Sequence, residues 1–477
     1  MLLEATLFIS VVAPVVWAQV QPIHVQNNTW NSSFTLSFSQ IVAANLSSTL
    51  VNNVEIATNF ERTNWATGSV ADDVFYNAPP LNETTPPGTL LAVEKVMNTN
   101  LYTLAPGLAL SRILFVSETF NGTAVPASAY ILWPWQAKTF RNSVLNVSGV
   151  PIVGWGHGTS GVHGECAPSH IRNLWYQYSA PYTLALQGYA VVAPDYAGLG
   201  VNSTAEGEFI PHQYTANPAG ANDIFFAIEA AQVAFPELSK HFVTMGHSQG
   251  GGIAWATAER QHERPVRGYL GTVAGSPTTN LTAQMVSTPS SIVLVKLIIQ
   301  TLQSIFLSFS PSDMLTERGI QMYHLSEELG ACNSVEFQLF ANPGEWLRAD
   351  WADSWYIPAY VNLTTAGGHP ISGPMLVLQG TNDPAVNYTV TSAAVEDTCT
   401  LYPESQIDYA VIEGASHVPA LFASQQIWLE WIADRFAGVH AGEGCSRRNL
   451  SSLRAVGTYQ PELTYYLQIA LESYVVA

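Results

Sequence analysis

The chain has 477 residues, 47% of them hydrophobic and only 11% charged. That supplies a large core and excludes a disordered chain. With 17 Lys+Arg against 36 Asp+Glu the net charge is −19, which argues against nucleic acid and anionic membrane surfaces as partners. Length alone suggests about three domains, yet the informative motifs form one unit between residues 150 and 420.

The N-terminus carries an apolar stretch, Leu7-Phe8-Ile9-Ser10-Val11-Val12-Ala13-Pro14-Val15-Val16, followed by small residues in Val16-Trp17-Ala18. Residues 1–18 are therefore expected to be a signal peptide, although no Lys or Arg precedes the stretch and Glu4 is acidic. The alternative is a buried N-terminal strand. Eleven N-x-S/T sequons point the same way, with Asn27, Asn31, Asn45, Asn82, Asn121, Asn146, Asn202, Asn280, Asn362, Asn387 and Asn449 as acceptors. Four cysteines fit two disulfides in an oxidising compartment. Three pairings are possible; Cys166–Cys332 with Cys399–Cys445 is favoured, the second tying the loop after Asp383 to the segment after His417. Secretion to the extracellular space is the expectation. The longest apolar run, 292–309, is broken by Lys296, Gln300 and Gln303, so no membrane span is expected there.

Residues 19–105, rich in Asn, Thr, Ser and Pro, suggest an embellishment with short helices. Apolar runs at 113–116 and 129–133 flank Asn121-Gly122-Thr123 and predict a hairpin. Strands follow at 150–155, 189–193, 241–245, 268–273, 374–379 and 407–412, alternating with helix-like stretches. That pattern predicts a mainly parallel sheet covered on both faces, with active groups at the carboxyl ends of its strands. Between 280 and 368 the alternation stops. Ile292, Val295, Ile299, Leu302 and Phe306 recur at helical spacing, and a second helix is expected over Glu317–Leu329. This insertion is either an ordinary helical addition with its apolar face buried or a lid lining an acyl pocket. The expected division is a catalytic domain from 19–279 and 369–445, a helical lid or cap over 280–368, and a tail over 446–477 of unassigned role.

The stretch with most chemical content is Gly246-His247-Ser248-Gln249-Gly250, between a short apolar run and a helix-like segment. Strand, tight turn and helix around G-x-S-x-G make a nucleophile elbow, in which glycines flank a strained serine. The alternative is a structural Gly-rich turn. A serine hydroxyl needs an adjacent base, usually a histidine held in one tautomer by a carboxylate. In hydrolases of this type the order is Ser, Asp or Glu, His. Asp383, in Gly380-Thr381-Asn382-Asp383-Pro384, and His417, in Gly414-Ala415-Ser416-His417-Val418, follow predicted strands in that order. Asp383 could instead be a turn former before proline, and Glu413, Glu396, Asp397 and Asp195 are rival carboxylates. His247 is set aside because the elbow should turn its side chain away. Oxyanion donors are expected from the N–H of Gln249 and from the loop Gly154-Trp155-Gly156-His157-Gly158-Thr159-Ser160-Gly161, with Thr159 first and Ser160 next. This loop lacks the lysine and spacing of a P-loop. His157 and His163 match no standard ligand spacing, so no metal is expected.

Three segments carry a family resemblance. They are Gly156-His157-Gly158-Thr159-Ser160-Gly161 running on to Glu165-Cys166-Ala167-Pro168-Ser169, then Gly188–Gly200 with Pro194-Asp195-Tyr196-Ala197-Gly198, and the Ser248 elbow. With them the chain resembles the secreted lipases of fungi and actinobacteria, the yeast lipase A-like group of the α/β-hydrolases. The resemblance implies an α/β-hydrolase fold with a helical lid, Ser248 as nucleophile, Asp383 as orienter, His417 as base, and a disulfide from Cys166 into the lid. It is specific from about 150 to 260 and thin before 105 and inside the lid. The family spans lipases, short-chain esterases and enzymes that deacylate natural products, so the substrate stays open.

The reaction expected is hydrolysis of a carboxylic ester, lipid or bulky acyl esters first, through an acyl-enzyme and without cofactor. Short-chain or natural-product ester cleavage is the alternative within that class; peptide cleavage and a non-catalytic binding module are the alternatives outside it. The expected form is a monomer without stable membrane insertion, touching a lipid interface through the lid.

Overall fold

The computed structural model describes residues 33–460 except 141–143 and 146. The 1–18 segment, Asn27, Asn31, Asn146 and residues 461–477 of the tail lie outside the described residues.

Ten strands form one sheet: β1 (Leu90–Glu94), β2 (Ala109–Glu118), β3 (Ala124–Trp133), β4 (Val150–Gly156), β5 (Ala190–Pro194), β6 (Leu238–His247), β7 (Tyr269–Gly275), β8 (Met375–Gly380), β9 (Ile407–Ile412) and β10 (Cys445–Leu450). Their spatial order is β1-β2-β3-β5-β4-β6-β7-β8-β9-β10. The β2–β3 hairpin turns at Asn121 and pairs along its whole length, Ala109 opposite Trp133 to Glu118 opposite Ala124. β3 meets β5 antiparallel, and from β5 onward every neighbouring pair is parallel.

The apolar runs bury because both sheet faces are covered. Val153, Trp155, Val191, Val243 and Met245 point to one face, where the helices Pro181–Leu186 and Gln425–Ala437 supply Tyr182, Leu184, Trp428 and Ile432. Their sequence neighbours Ile152, Val192 and Phe242 point to the other, against Ile224, Ile228 and Ile253 of the helices Asn217–Ala234 and Gln249–Glu263. Alternation along each strand thus feeds two cores at once, and the strands look continuously apolar in sequence.

The chain between β7 and β8 is helical, and its apolar residues form a core of their own that includes Val295, Ile299, Leu302, Met322, Val335, Trp346 and Tyr360. The expected helix through 292–306 is divided: a 3-10 segment, Pro289–Leu297, gives way to an α-helix, Ile298–Ile305. Three-residue spacing suits a 3-10 turn as well as an α-helix, so the pattern did not separate them. Lys296, which interrupts this run in sequence, is buried; its Nζ pairs with Glu336 and donates to Ser326 Oγ at 2.7 Å. Helix Glu317–Leu329 starts on the Thr316 cap and ends at Gly330 in the left-handed region.

Leu36, Ala44, Val54 and Ala57 belong to this same helical core rather than to the sheet's. The N-terminal embellishment, expected as part of the sheet domain, therefore packs in part with the insertion. Helix Ser48–Thr63 reaches it directly: the Glu61 carboxylate accepts the N–H groups of Cys332 at 3.0 Å and Val335 at 2.9 Å, capping helix Asn333–Leu339. The disulfides Cys166–Cys332 and Cys399–Cys445 are both formed. The first joins the segment after β4 to the start of that capped helix. The second joins helix Tyr388–Leu401 to β10. The tail expected from 446 onward begins inside the sheet, because β10 adds to the edge with Cys445 opposite Ile407 and Leu450 opposite Ile412.

Among the described sequons, Asn45, Asn82, Asn121, Asn362 and Asn449 are exposed, and Asn202, Asn280 and Asn387 are half-buried. No helix among the described residues is long and apolar enough to cross a membrane.

Candidate active site

β6 ends at His247, and the next residue breaks sharply into helix Gln249–Glu263. Ser248 sits at φ 61°, ψ −120°, left-handed backbone that a non-glycine residue holds only under constraint. The constraint is visible in its peptide bonds: Ser248 N–H donates to Gly275 O at 3.0 Å, and Ser248 C=O accepts from Thr278 N at 3.0 Å. Glycine is obligatory on both sides of it. A Cβ on Gly246 would lie 1.9 Å from Gly250 O, and one on Gly250 would lie 2.0 Å from Gly156 O. The chain thus crosses itself at backbone contact distance, and Ser248 is left only partly covered.

Asp383 and His417 come from the loops after β8 and β9. These loops are knitted together: Asn382 N–H donates to Ala415 O at 3.0 Å, and Thr381 N–H to Ile412 O at 3.0 Å. His417 Nδ1 lies 2.8 Å from Asp383 Oδ2. The other carboxylate oxygen, Oδ1, accepts Ala385 N–H at 2.9 Å and Val386 N–H at 2.8 Å. Gln379 Nε2, from inside β8, donates to Oδ2 at 3.2 Å and also to Val386 O at 3.0 Å. Burial pushes the Asp383 carboxyl upward, but the His417 imidazole and the two backbone N–H groups outweigh it and hold the group below its ordinary range. An ionised Asp383 accepting a proton-bearing Nδ1 leaves Nε2 of His417 as the basic nitrogen.

The loop after β4 lies against the elbow: a Cβ on Gly158 would be 3.2 Å from Ser248 Cβ. Thr159 is held from two sides. Its hydroxyl bonds Tyr214 Oη at 2.8 Å, and its carbonyl accepts Asn333 Nδ2 at 2.6 Å from the helical insertion. Gln249 opens its helix, where no carbonyl of a preceding turn is available to its N–H. Its side chain turns away, to His212 Nε2 at 3.0 Å.

The rival residues have other surroundings. Asp195 is fully buried and bonds Ser128 Oγ, Ser169 N and Ser169 Oγ; burial pushes it up to about 6 against those bonds. Glu396 and Asp397 are exposed on helix Tyr388–Leu401, and Glu413 bonds Ser451 at 2.6 Å. His157 is buried between Gly158 O at 2.8 Å and Asp195 O at 3.2 Å, and burial pushes it down to about 4. His163 faces Glu327 and Glu336 at 3.8 and 3.9 Å. Among the described residues no three His, Cys, Asp or Glu converge as a metal site.

His247 departs from its sequence expectation. Set aside in the sequence, it meets His417: the two rings are tilted at 46° with centroids 4.4 Å apart, and its Nε2 is 3.3 Å from His417 O. Gln379 and Tyr176 went unnoticed in the sequence. A polar residue near the end of the apolar β8 run was a usable signal for Gln379. Tyr176 offered none.

No curated protein matches the chain. Solved structures do. Lipase A of Candida antarctica in its closed state superposes with a TM-score of 0.63 at 15% identity, over 80% of this chain and 89% of that one. A ligand-bound form of the rice cell wall degrading esterase LipA from Xanthomonas oryzae gives 0.56 at 18% identity, over 73% and 97%. Both share the fold. Residues 155–427, more than half of the chain, match the alpha/beta hydrolase family, and the chain belongs to that family.

Proposed function

We propose that the chain is a secreted serine carboxylic ester hydrolase of the lipase and esterase kind. The observation that carries this reading is the 2.8 Å contact of His417 Nδ1 with the buried Asp383, with the His417 ring against that of His247, the residue before a serine held in a strained turn. In this reading Ser248 Oγ attacks the ester carbonyl as His417 Nε2 takes its proton. The tetrahedral oxyanion sits between the N–H groups of Gln249 and Thr159. His417 returns the proton to the leaving alcohol, and a water molecule repeats the sequence to release the acid. Asp383 stays ionised throughout. Its place is to fix the tautomer and steady the imidazolium.

The substrate proposed is a lipid or another ester with a bulky acyl group. The helical insertion supports it, since it carries its own apolar core and reaches the Thr159 loop through Asn333. We read this insertion as the lid of the site and the division of the chain as set out from the sequence, with the N-terminal helices joined to the lid. Lipase A and the Xanthomonas esterase are named for ester cleavage, which fits. Two disulfides, the apolar leader and the exposed sequons support secretion. A short-chain or natural-product esterase is the second reading.

Ser248→Ala, assayed on p-nitrophenyl esters of short and long acids, tests the proposal. Activity should fall by at least about a thousandfold; activity within about tenfold of the parent removes Ser248 from the reaction. A preference for acetate with no gain at an oil–water interface decides for the esterase.

A further inference from the structure

Two hydrogen bonds and one close backbone approach join parts of the site that are far apart in sequence. Tyr176 Oη is 2.6 Å from His247 Nδ1, His247 Nε2 is 3.3 Å from the carbonyl oxygen of His417, and Gly158 lies against the Tyr176 hydroxyl, where an added Cβ would be 2.2 Å from its oxygen. Each direction follows from the chemistry of the ends. A carbonyl can only accept, so His247 carries its proton on Nε2. In a neutral ring Nδ1 is then an acceptor, so the Tyr176 hydroxyl donates to it. Both side chains are buried, Tyr176 at 7% exposure and His247 at 0%.

We propose that Tyr176 and His247 are positioning residues that lock the oxyanion loop and the general-base histidine into one frame around Ser248. The proposal rests on the ester-hydrolase reading above. One end of the relay is Gly158, the residue before Thr159 and in contact range of Ser248. The other end is the backbone of His417, whose ring also rests on His247. His247 is covalently next to the nucleophile, so the relay refers both partners to the serine itself.

Two further observations fit. The residues around Tyr176 are held in left-handed backbone without glycine: Leu174 at φ 52°, Trp175 at 69° and Gln177 at 41°. Such strain persists where the surroundings over-determine a conformation, commonly at functional sites. Trp155, at the end of β4, packs edge-on against the Tyr176 ring with centroids 5.3 Å apart and fixes the ring plane. Burial also drives the His247 imidazole well below its ordinary range, so the relay keeps its donor and acceptor order while His417 becomes charged.

The test uses the full chain, with kcat and KM on a p-nitrophenyl ester and Tm on the same samples. Tyr176→Phe should lower kcat by about 10- to 100-fold with KM within about threefold, because small misplacements of reacting groups act on the transition state. His247→Leu should do the same, and the double variant should lose little more than either single one, as for one unit. His247→Gln should recover most of the loss, since one amide can accept from Tyr176 and donate to His417 O. A purely structural role would show losses that follow Tm, with Gln no better than Leu. That pattern, or a folded Tyr176→Phe within about threefold of the parent in kcat, overturns the relay while an inert Ser248→Ala keeps the ester-hydrolase reading. An active Ser248→Ala overturns both.

Discussion

Asp383→Asn gives the most discriminating perturbation, because the structure dictates how the new amide must sit. Asp383 Oδ1 accepts two backbone N–H groups, from Ala385 and Val386. The amide of D383N must therefore keep its oxygen there, since turning it would aim an NH2 at two donors. Its nitrogen then occupies the Oδ2 position, 2.8 Å from His417 Nδ1 and 3.2 Å from Gln379 Nε2. Facing an NH2, His417 must present a bare Nδ1 and carry its proton on Nε2, the nitrogen that should accept from Ser248. The imidazolium also loses its counter-charge. The same exchange in a serine protease triad costs about 10⁴ in kcat, so a loss of about 10³ to 10⁴ is expected here, equivalent to about 4–5 kcal/mol of barrier. The assay is kcat/KM on a soluble p-nitrophenyl ester at neutral pH, with Tm and circular dichroism confirming the fold. A folded D383N within tenfold of the parent would refute the reasoning and take the tautomer-holding role from Asp383.

Other outcomes follow from the same contacts. Gly246→Ala should abolish activity and cut soluble yield, since its Cβ would meet Gly250 O at 1.9 Å; an active, soluble variant would show that the crossing can relax. Opening Cys166–Cys332, which closes a span of 166 residues, should cost about 2–5 kcal/mol of stability, read as a lower Tm for C332A; an unchanged Tm would mean that the capped helix docks without it. Asp223 is raised from 3.8 to about 7, chiefly by burial, against bonds from Ser117 and Ala197. A raised carboxyl contributes stability at low pH that is lost as pH rises through the folded value near 7. Asp223→Asn lacks that penalty, so its Tm relative to the parent should improve between about pH 4 and pH 7 and level off above it; a flat difference across that window would contradict the raised value.

The parts of this molecule legible in the sequence are those whose cause is local. The Gly246–Gly250 pentapeptide announces a turn because two side chains there would strike backbone. Asp383 and His417 each follow an apolar run, and a parallel sheet brings such positions to one edge; their side chains lie 2.8 Å apart. What stayed hidden depends on partners distant in the chain. β10, Cys-Ser-Arg-Arg-Asn-Leu, is an exposed edge strand with no apolar alternation, and only its pairing with β9 makes it a strand. Val54 and Ala57 look like part of any half-apolar helix until the insertion packs on them. Glu61 has no local reason to cap a helix that begins beyond Cys332. Tyr176 and His247 meet through a loop whose left-handed residues are not glycines, so composition carried no warning.

Covalent capture of the nucleophile tests the central claim most directly. A fluorophosphonate reacts with a serine only where a base and an oxyanion site activate it, whatever the natural substrate. Peptide mapping of the labelled full chain should place one modification on Ser248, with loss of ester hydrolysis in step with labelling and no labelling of Ser248→Ala. Label on another serine, or full hydrolysis after complete modification of Ser248, would contradict it.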